Sequence, residues 1–244
     1  MASGILLRVG VDSSSGGGGW NAPCREDGRF CHVPIPDGRA DTRGPAFDHD
    51  FAEFAPFVRH LGEEWPTWLS GRCHLDPDFA HLTYGDGASG RGRRIRETLS
   101  AGDFIAFWSG LRSVESGDLV CALVGFFTVS CVVNAAEVGP LDAHRNAHTR
   151  YAVPPDGGDV VVFANPAKSG RLRAFIPVGR YRDGAQRIER LLLRAWGGME
   201  NGSGGDWPDG YIQLSGSPPI FRDPRRFIDW FWELRPQLVH ANNV

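Results

Sequence analysis

The residues able to do chemistry fall in a few places. The first is Asp12, which opens the run D-S-S-S-G-G-G-G-W-N ending at Asn21. An acid after an apolar stretch, followed by glycines, is a site pattern. Glycine lets a ligand approach the backbone, and successive N–H groups can cradle a phosphate. Asp12 is a candidate catalytic residue, able to hold a ribose, a metal ion or a proton. Ser13, Gly16, Gly17, Trp20 and Asn21 are candidate nucleotide contacts. The run is not a Walker loop, since G-x-x-x-x-G-K-[ST] is absent, nor a Rossmann fingerprint, since no helical pattern follows. A plain flexible loop is the alternative.

The second place is Asn146, His148 and Arg150. On extended backbone they share one face. Such a trio can hydrogen-bond a base edge or a phosphate, with His148 as the candidate general acid or base. No partner for His148 is visible in the sequence. Third are aromatic residues beside loops and strand ends: Trp20, Tyr84, Phe107 and Trp108. Stacking on a base is worth about 1–3 kcal/mol, although most of eight tryptophans should fill a core. Fourth are cationic clusters: Arg91, Arg93, Arg94 and Arg96, then Lys168, Arg171 and Arg173. Lys168 is the only lysine among 26 basic residues, so the rest are arginines. Arginine suits bidentate phosphate and base contacts, but coding bias explains the composition equally well.

Soft metal ligands are present at Cys24, Cys31, His32, His49, Cys73, His74 and His81. Cys24 and Cys31 are too far apart for a zinc knuckle. Cys73 and His74 are neighbours, and on a strand they point oppositely. No metal site and no particular cofactor is expected. The motifs of serine hydrolases, zinc proteases, zinc deaminases and protein kinases are also absent.

These residues need elements to position them. Residues 4–11 form an apolar run that predicts a buried strand feeding the Asp12 loop. Residues 30–36 suit an edge strand, and 51–69 a short helix ended by Pro66. Residues 73–90 read as a long ordered loop and 91–100 as a short basic helix. The clearest segment is G-D-F-I-A-F-W-S-G-L (102–111), then L-V-C-A-L-V-G-F-F-T-V-S-C-V-V (119–133). It predicts paired strands, the second bent or bulged near Gly125. Cys121 and Cys131 there read as small buried hydrophobes. Strands are expected at 158–166 and 169–179, and helices at 191–196 and 221–234. The last is apolar enough for an interface, though its aromatics suit packing on the sheet better.

The whole reads as an α+β fold: one elaborated domain, 1–244, with a curved mixed or antiparallel sheet, peripheral helices and long loops. Hydrophobic residues make up 41% and charged residues 23%, enough for a real core. The net charge of -3 means that a nucleic-acid surface must be a local patch. Five cysteines fit the cytosol. No stretch reaches the roughly 18 apolar residues that span a bilayer. A cytoplasmic protein without membrane contact is expected.

Two resemblances add to this. G-D-F-I-A-F-W-S-G-L followed by A-L-V-G-F-F-T-V resembles the strand pair of the PUA-like superfamily, which includes the EVE, YTH and ASCH domains. It implies a half-barrel core at about 91–180 and an aromatic cage for a base, with Trp108 at the cage position and Trp20 second. Over most of its length the chain is similar to the third of the nucleotide-modification-associated domain families. The carriers are D-S-S-S-G-G-G-G-W-N-A-P, H-L-D-P-D-F-A-H-L-T-Y-G-D, N-A-H-T-R and F-A-N-P-A-K-S-G-R-L-R-A-F-I-P-V-G. That likeness implies a role in making or recognising modified nucleotides and transfers no catalytic residue. Two readings follow. One is a nucleic-acid or nucleotide binder that reads a modified or flipped base. The other is a modification enzyme built on the Asp12 loop with Asn146, His148 and Arg150. Expected partners are nucleic acid or nucleotide, with proteins of a modification or defence system as further candidates.

Overall fold

The apolar runs become strands with no polar face. In the computed structural model, residues 2–12, 20–37, 49–150, 157–200, 209–212 and 217–244 are described. Ser13, Gly16 and Gly17 lie outside them. The first half of the chain holds β1 (Gly4–Arg8), β2 (Pro23–Cys24), β3 (Ile35–Pro36), β4 (His49–Asp50), α1 (Ala55–His60), β5 (Arg72–His74), β6 (Thr83–Asp86), α2 (Arg91–Thr98) and β7 (Phe104–Ser113). The second half holds β8 (Leu119–Asn134), β9 (Val160–Ala164), β10 (Gly170–Arg182), β11 (Ala185–Ile188), α3 (Arg190–Ala195), β12 (Met199–Glu200), β13 (Ile220–Phe221), α4 (Pro224–Glu233) and β14 (Leu238–Val239). The architecture is mixed α+β, with a large open sheet and few helices.

The main sheet runs β11-β10-β8-β7-β1-β13-β12. The β1–β7 and β2–β7 pairs are parallel, and the others are antiparallel. β6 and β9 extend the sheet from the far half of β8, and β5 lies between β3 and β4 in a small second sheet. Both faces of the central strands are covered. Ile5, Leu7, Ile105 and Phe107 enter one core, shared with α1, α2 and β5. Leu6, Phe104, Ala106 and Trp108 enter a second core against α3 and α4. Period-2 alternation therefore reads as one continuous apolar run, the mark of a strand buried on both sides.

β8 carries the expected irregularity as a bulge. Ala122 and Val124 face the first core, and Cys121 and Leu123 the second. Beyond Gly125 the phase flips: Phe126 faces the second core and Phe127 the first. The register against β7 shifts at the same point, so one extra residue is absorbed there as a bulge. A side chain at Gly125 would collide with the Phe79 ring. α4 starts as its sequence demands, with Asp223 capping the Arg226 N–H and Pro224 in the first turn. Phe227 and Phe231, four apart, are both buried, so the helix packs on the sheet.

Some expectations change. The loop expected at 73–90 contains β6. The edge strand at 30–36 shrinks to β3. Cys131 is exposed, because the strand turns its far end out of the core. Residues 143–150 form tight turns rather than an extended piece: Thr149 and Arg150 N–H both donate to the Asn146 carbonyl. Among the described residues the sheet is open, with no closed barrel.

One buried carboxylate ties distant segments together. Asp78 accepts from His81 Nδ1, the Arg150 guanidinium, Asn242 Nδ2 and the backbone N–H groups of Ala80 and His81. Burial alone would raise its pKa, but His81 and Arg150 hold it well below the usual carboxylate range. Asp78→Ala leaves the Arg150 guanidinium buried without its counter-charge. It is expected to cost about 3–5 kcal/mol, read by urea denaturation.

Candidate functional site

The chain from β5 to β6 is where polar side chains meet. Cys73 and Leu75 point into the first core. His74 and Asp76, alternating with them, face away from it, as period-2 backbone requires. The Asp76–Pro77 peptide bond is cis. On β6, Gly85 donates its N–H to Asp76 Oδ1 at 3.0 Å. The turn at 146–150 crosses β6 here and brings in Asn146 and His148. Asn146 Nδ2 donates to Asp76 Oδ1 at 2.8 Å, and its Oδ1 accepts the His148 N–H at 2.9 Å. Asp159, just before β9, accepts from His148 Nδ1 at 2.8 Å.

The result is a cluster of three donor atoms. His74 Nε2 lies 2.9 Å from Asp76 Oδ2, and His148 Nε2 lies 3.6 Å from the same oxygen. The two imidazole rings meet edge to face at 4.9 Å. Asp76 Oδ1 is saturated, but Asp76 Oδ2 is buried and has no hydrogen-bond partner, because the His74 ring is not aligned to donate to it. Burial disfavours the His148 imidazolium. The Asp159 hydrogen bond and the charges of Asp76, Asp159 and Asp86 outweigh burial and raise the His148 pKa. With Nδ1–H held by Asp159, Nε2 is the nitrogen left to act on a neighbour. This set, His74, Asp76 and His148, could hold a metal ion.

A second polar group borders the first. Tyr84 is buried on β6 and its hydroxyl donates to Asp86 Oδ2 at 2.7 Å; burial pushes its pKa well up. Arg91, at the start of α2, pairs with Asp86 at 2.9 Å and also donates to the Arg8 carbonyl. The remaining arginines of that helix are engaged too: Arg93 with Glu97, Arg94 with Glu200, Arg96 with the Gly158 and Ala88 carbonyls.

The other residues singled out from sequence go elsewhere. Asp12 is fully buried and ion-paired with Arg8, which itself lies over the Trp108 ring at 5.3 Å. Asn21 Nδ2 binds the Gly110 carbonyl. Trp108 is fully buried in the second core and presents no face to a base. Trp20 is partly buried, edge-on to Trp65. Arg150 serves Asp78 and the His144 carbonyl, because the turn at 146–150 points it away from His148. Arg171 is fully buried over the Phe30 ring, giving N–H groups to the Phe30 and Leu172 carbonyls, and burial lowers its pKa to about 10. Lys168 is exposed on a short turn.

Asn146 and His148 are thus brought together, with His74, Asp76 and Asp159 as partners that sequence reading missed. The signal was H-L-D at 74–76, two ligand types two residues apart on extended backbone. Gly85 makes the arrangement possible. A Cβ there would lie 2.5 Å from both Asn146 Oδ1 and His148 Cδ2. Gly85→Ala is expected to displace the His148 ring while the distant core stays intact. NMR should show shifted His148 ring signals, with a loss of stability of about 1–3 kcal/mol.

The family model for nucleotide modification associated domain 3 matches residues 3–195. No curated protein and no solved structure matches the chain. The matched stretch covers well over half of the sequence and contains the whole His74–Asp76–His148 cluster, and the chain belongs to the nucleotide modification associated domain 3 family.

Proposed function

We propose that this chain is an enzyme of nucleotide or base modification whose reaction centre is the cluster of His74, Asp76 and His148. One observation carries the reading. Three side chains from two segments, His74 and Asp76 on one and His148 on the other, converge on one point, with Asp76 held through Oδ1 and His148 through Nδ1, so that Oδ2 and Nε2 are left to act. A buried carboxylate oxygen without a hydrogen bond is costly, and a functional role is one explanation for it. Membership of the nucleotide modification associated domain 3 family supports a nucleotide or nucleobase as the substrate class.

Asp12 is not assigned a catalytic role in this reading. Its carboxylate is engaged by Arg8 inside the protein. Asn146 and Asp159 are positioning residues, and Arg91, paired with Asp86, is the cation assigned to a substrate phosphate. The reader alternative draws on the PUA-like strand pair. It has weaker support, since Trp108 and Tyr84 are buried.

The test is mass spectrometry of free nucleotides and of single- and double-stranded DNA incubated with the full chain. Turnover is expected to fall at least about 100-fold in His74→Ala and His148→Ala, the scale lost when a group acting on the reacting atoms is removed. Trp108→Phe should leave it near normal. Full turnover in both histidine variants overturns the reading. So does tight, salt-sensitive binding of modified DNA that is never altered and that survives loss of the cluster.

A further inference from the structure

We infer that His74, Asp76 and His148 together bind one divalent transition-metal ion, leaving coordination positions open for water or substrate. The inference rests on the reading of this cluster as a reaction centre for its role, but binding of the ion is measured without turnover.

The spacing fits first. Nitrogen and oxygen ligands lie about 2.1 Å from such a metal, so neighbouring ligand atoms stand roughly 3.0–3.4 Å apart. The two contacts to Asp76 Oδ2 are 2.9 and 3.6 Å, and all three donor atoms lie within 4.8 Å of one another. The His74–Asp76 contact is short yet lacks the alignment of a hydrogen bond. Two groups aimed at a shared third point give that geometry. Two groups bonded to each other do not.

The surroundings fit next. A ligating histidine characteristically gives its other ring N–H to a carboxylate, and His148 gives Nδ1–H to Asp159. A ligating carboxylate is fixed through its second oxygen, and Asp76 Oδ1 takes N–H groups from Gly85 and Asn146. Asn146 also fixes the His148 backbone, so one side chain sets two ligands. The negative charge of Asp76, Asp86 and Asp159 favours a cation at the point of convergence.

The donor set selects the class of ion. Two imidazoles with one carboxylate suit zinc, iron(II), cobalt or manganese, whereas calcium and magnesium want oxygen ligands. Three protein ligands are one short of a closed structural zinc site and match the open, catalytic kind. His74 is the most exposed ligand, its side chain 16% accessible against 5% for Asp76 and 7% for His148. The ion and substrate enter from its side. A bound ion of this kind activates water or polarises an oxygen of the substrate.

The experiment uses the full chain, stripped with a chelator and titrated by calorimetry with zinc, manganese and, without oxygen, iron(II). Cobalt(II) absorption provides a separate readout of imidazole ligation. About one ion per chain is expected, with calcium and magnesium bound at least 100-fold more weakly. His74→Ala and His148→Ala should weaken binding at least 100-fold, and Asp159→Asn about 10–100-fold, as for other outer partners of metal-bound histidine. His49→Ala should change nothing. Because His148→Ala removes a buried ring, the deciding variant is His74→Ala, with its fold checked by circular dichroism. No stoichiometric ion, or unchanged affinity in His74→Ala, overturns the inference. One ion bound without any nucleotide being altered upholds it while removing the enzymatic reading. Turnover by ion-free protein overturns it and leaves that reading standing.

Discussion

The central strands have no face that meets water. β1, β7 and the first half of β8 send alternate side chains into two separate cores, and both are dense with aromatic rings. A sheet sealed on both sides leaves room for chemistry only at its ends and in its extensions. Polar groups inside it must be paired, because an unpaired buried charge costs several kcal/mol. Arg8 and Asp12 obey this rule at the end of β1. Arg171 obeys it with carbonyl groups and the face of Phe30. Each has the look of a site in the sequence and is engaged inside the protein, Arg8 with Asp12 and Arg171 through its two terminal nitrogens.

The bend in β8 makes the exception. Past the bulge at Gly125 the strand stays on β7 as far as Thr128, and from Val129 it pairs with β9, which in turn carries β6. On this extension the backbone of Gly85 comes close enough to Asn146 and His148 for only a glycine to fit. The acids there are graded by their partners. Asp78 has a full set of donors and is locked, whereas Asp76 has one oxygen locked and the other open. Two acids separated by one proline thus have different jobs, one in holding the fold and one at the cluster.

Much of the fold was legible. The strand pair at 102–133, the bend at Gly125 and the helix after Pro224 follow from periodicity and turn chemistry, because local sequence alone decides them. β6 was not legible. It is four residues of mixed polarity whose strand character comes from pairing with β9. The candidate site divides the same way. Asn146 and His148 stood out by type, but their partners lie 70 and 11 residues away, and no spacing rule joins them. Assuming extended backbone at 146–150 put Arg150 beside His148, and the turn moved it to Asp78. Trp108 was misplaced for a related reason: an aromatic residue near a strand's end looks exposed until a second layer of helices is known to cover it.

The contact between Asn242 and Asp78 spans 164 residues, and Asn242 also accepts the N–H of Phe79. Asn243 in turn binds the backbone of His32 on both sides. The segment that holds the H-L-D triplet in place is therefore clasped by a part of the chain made much later. During synthesis the triplet leaves the ribosome long before its clasp does. The early half can gather its apolar strands, but Asp78 and Phe79, just past the triplet, have their Asn242 contacts only once the late segment has docked. Contacts so far apart in sequence are of the non-local kind that forms slowly.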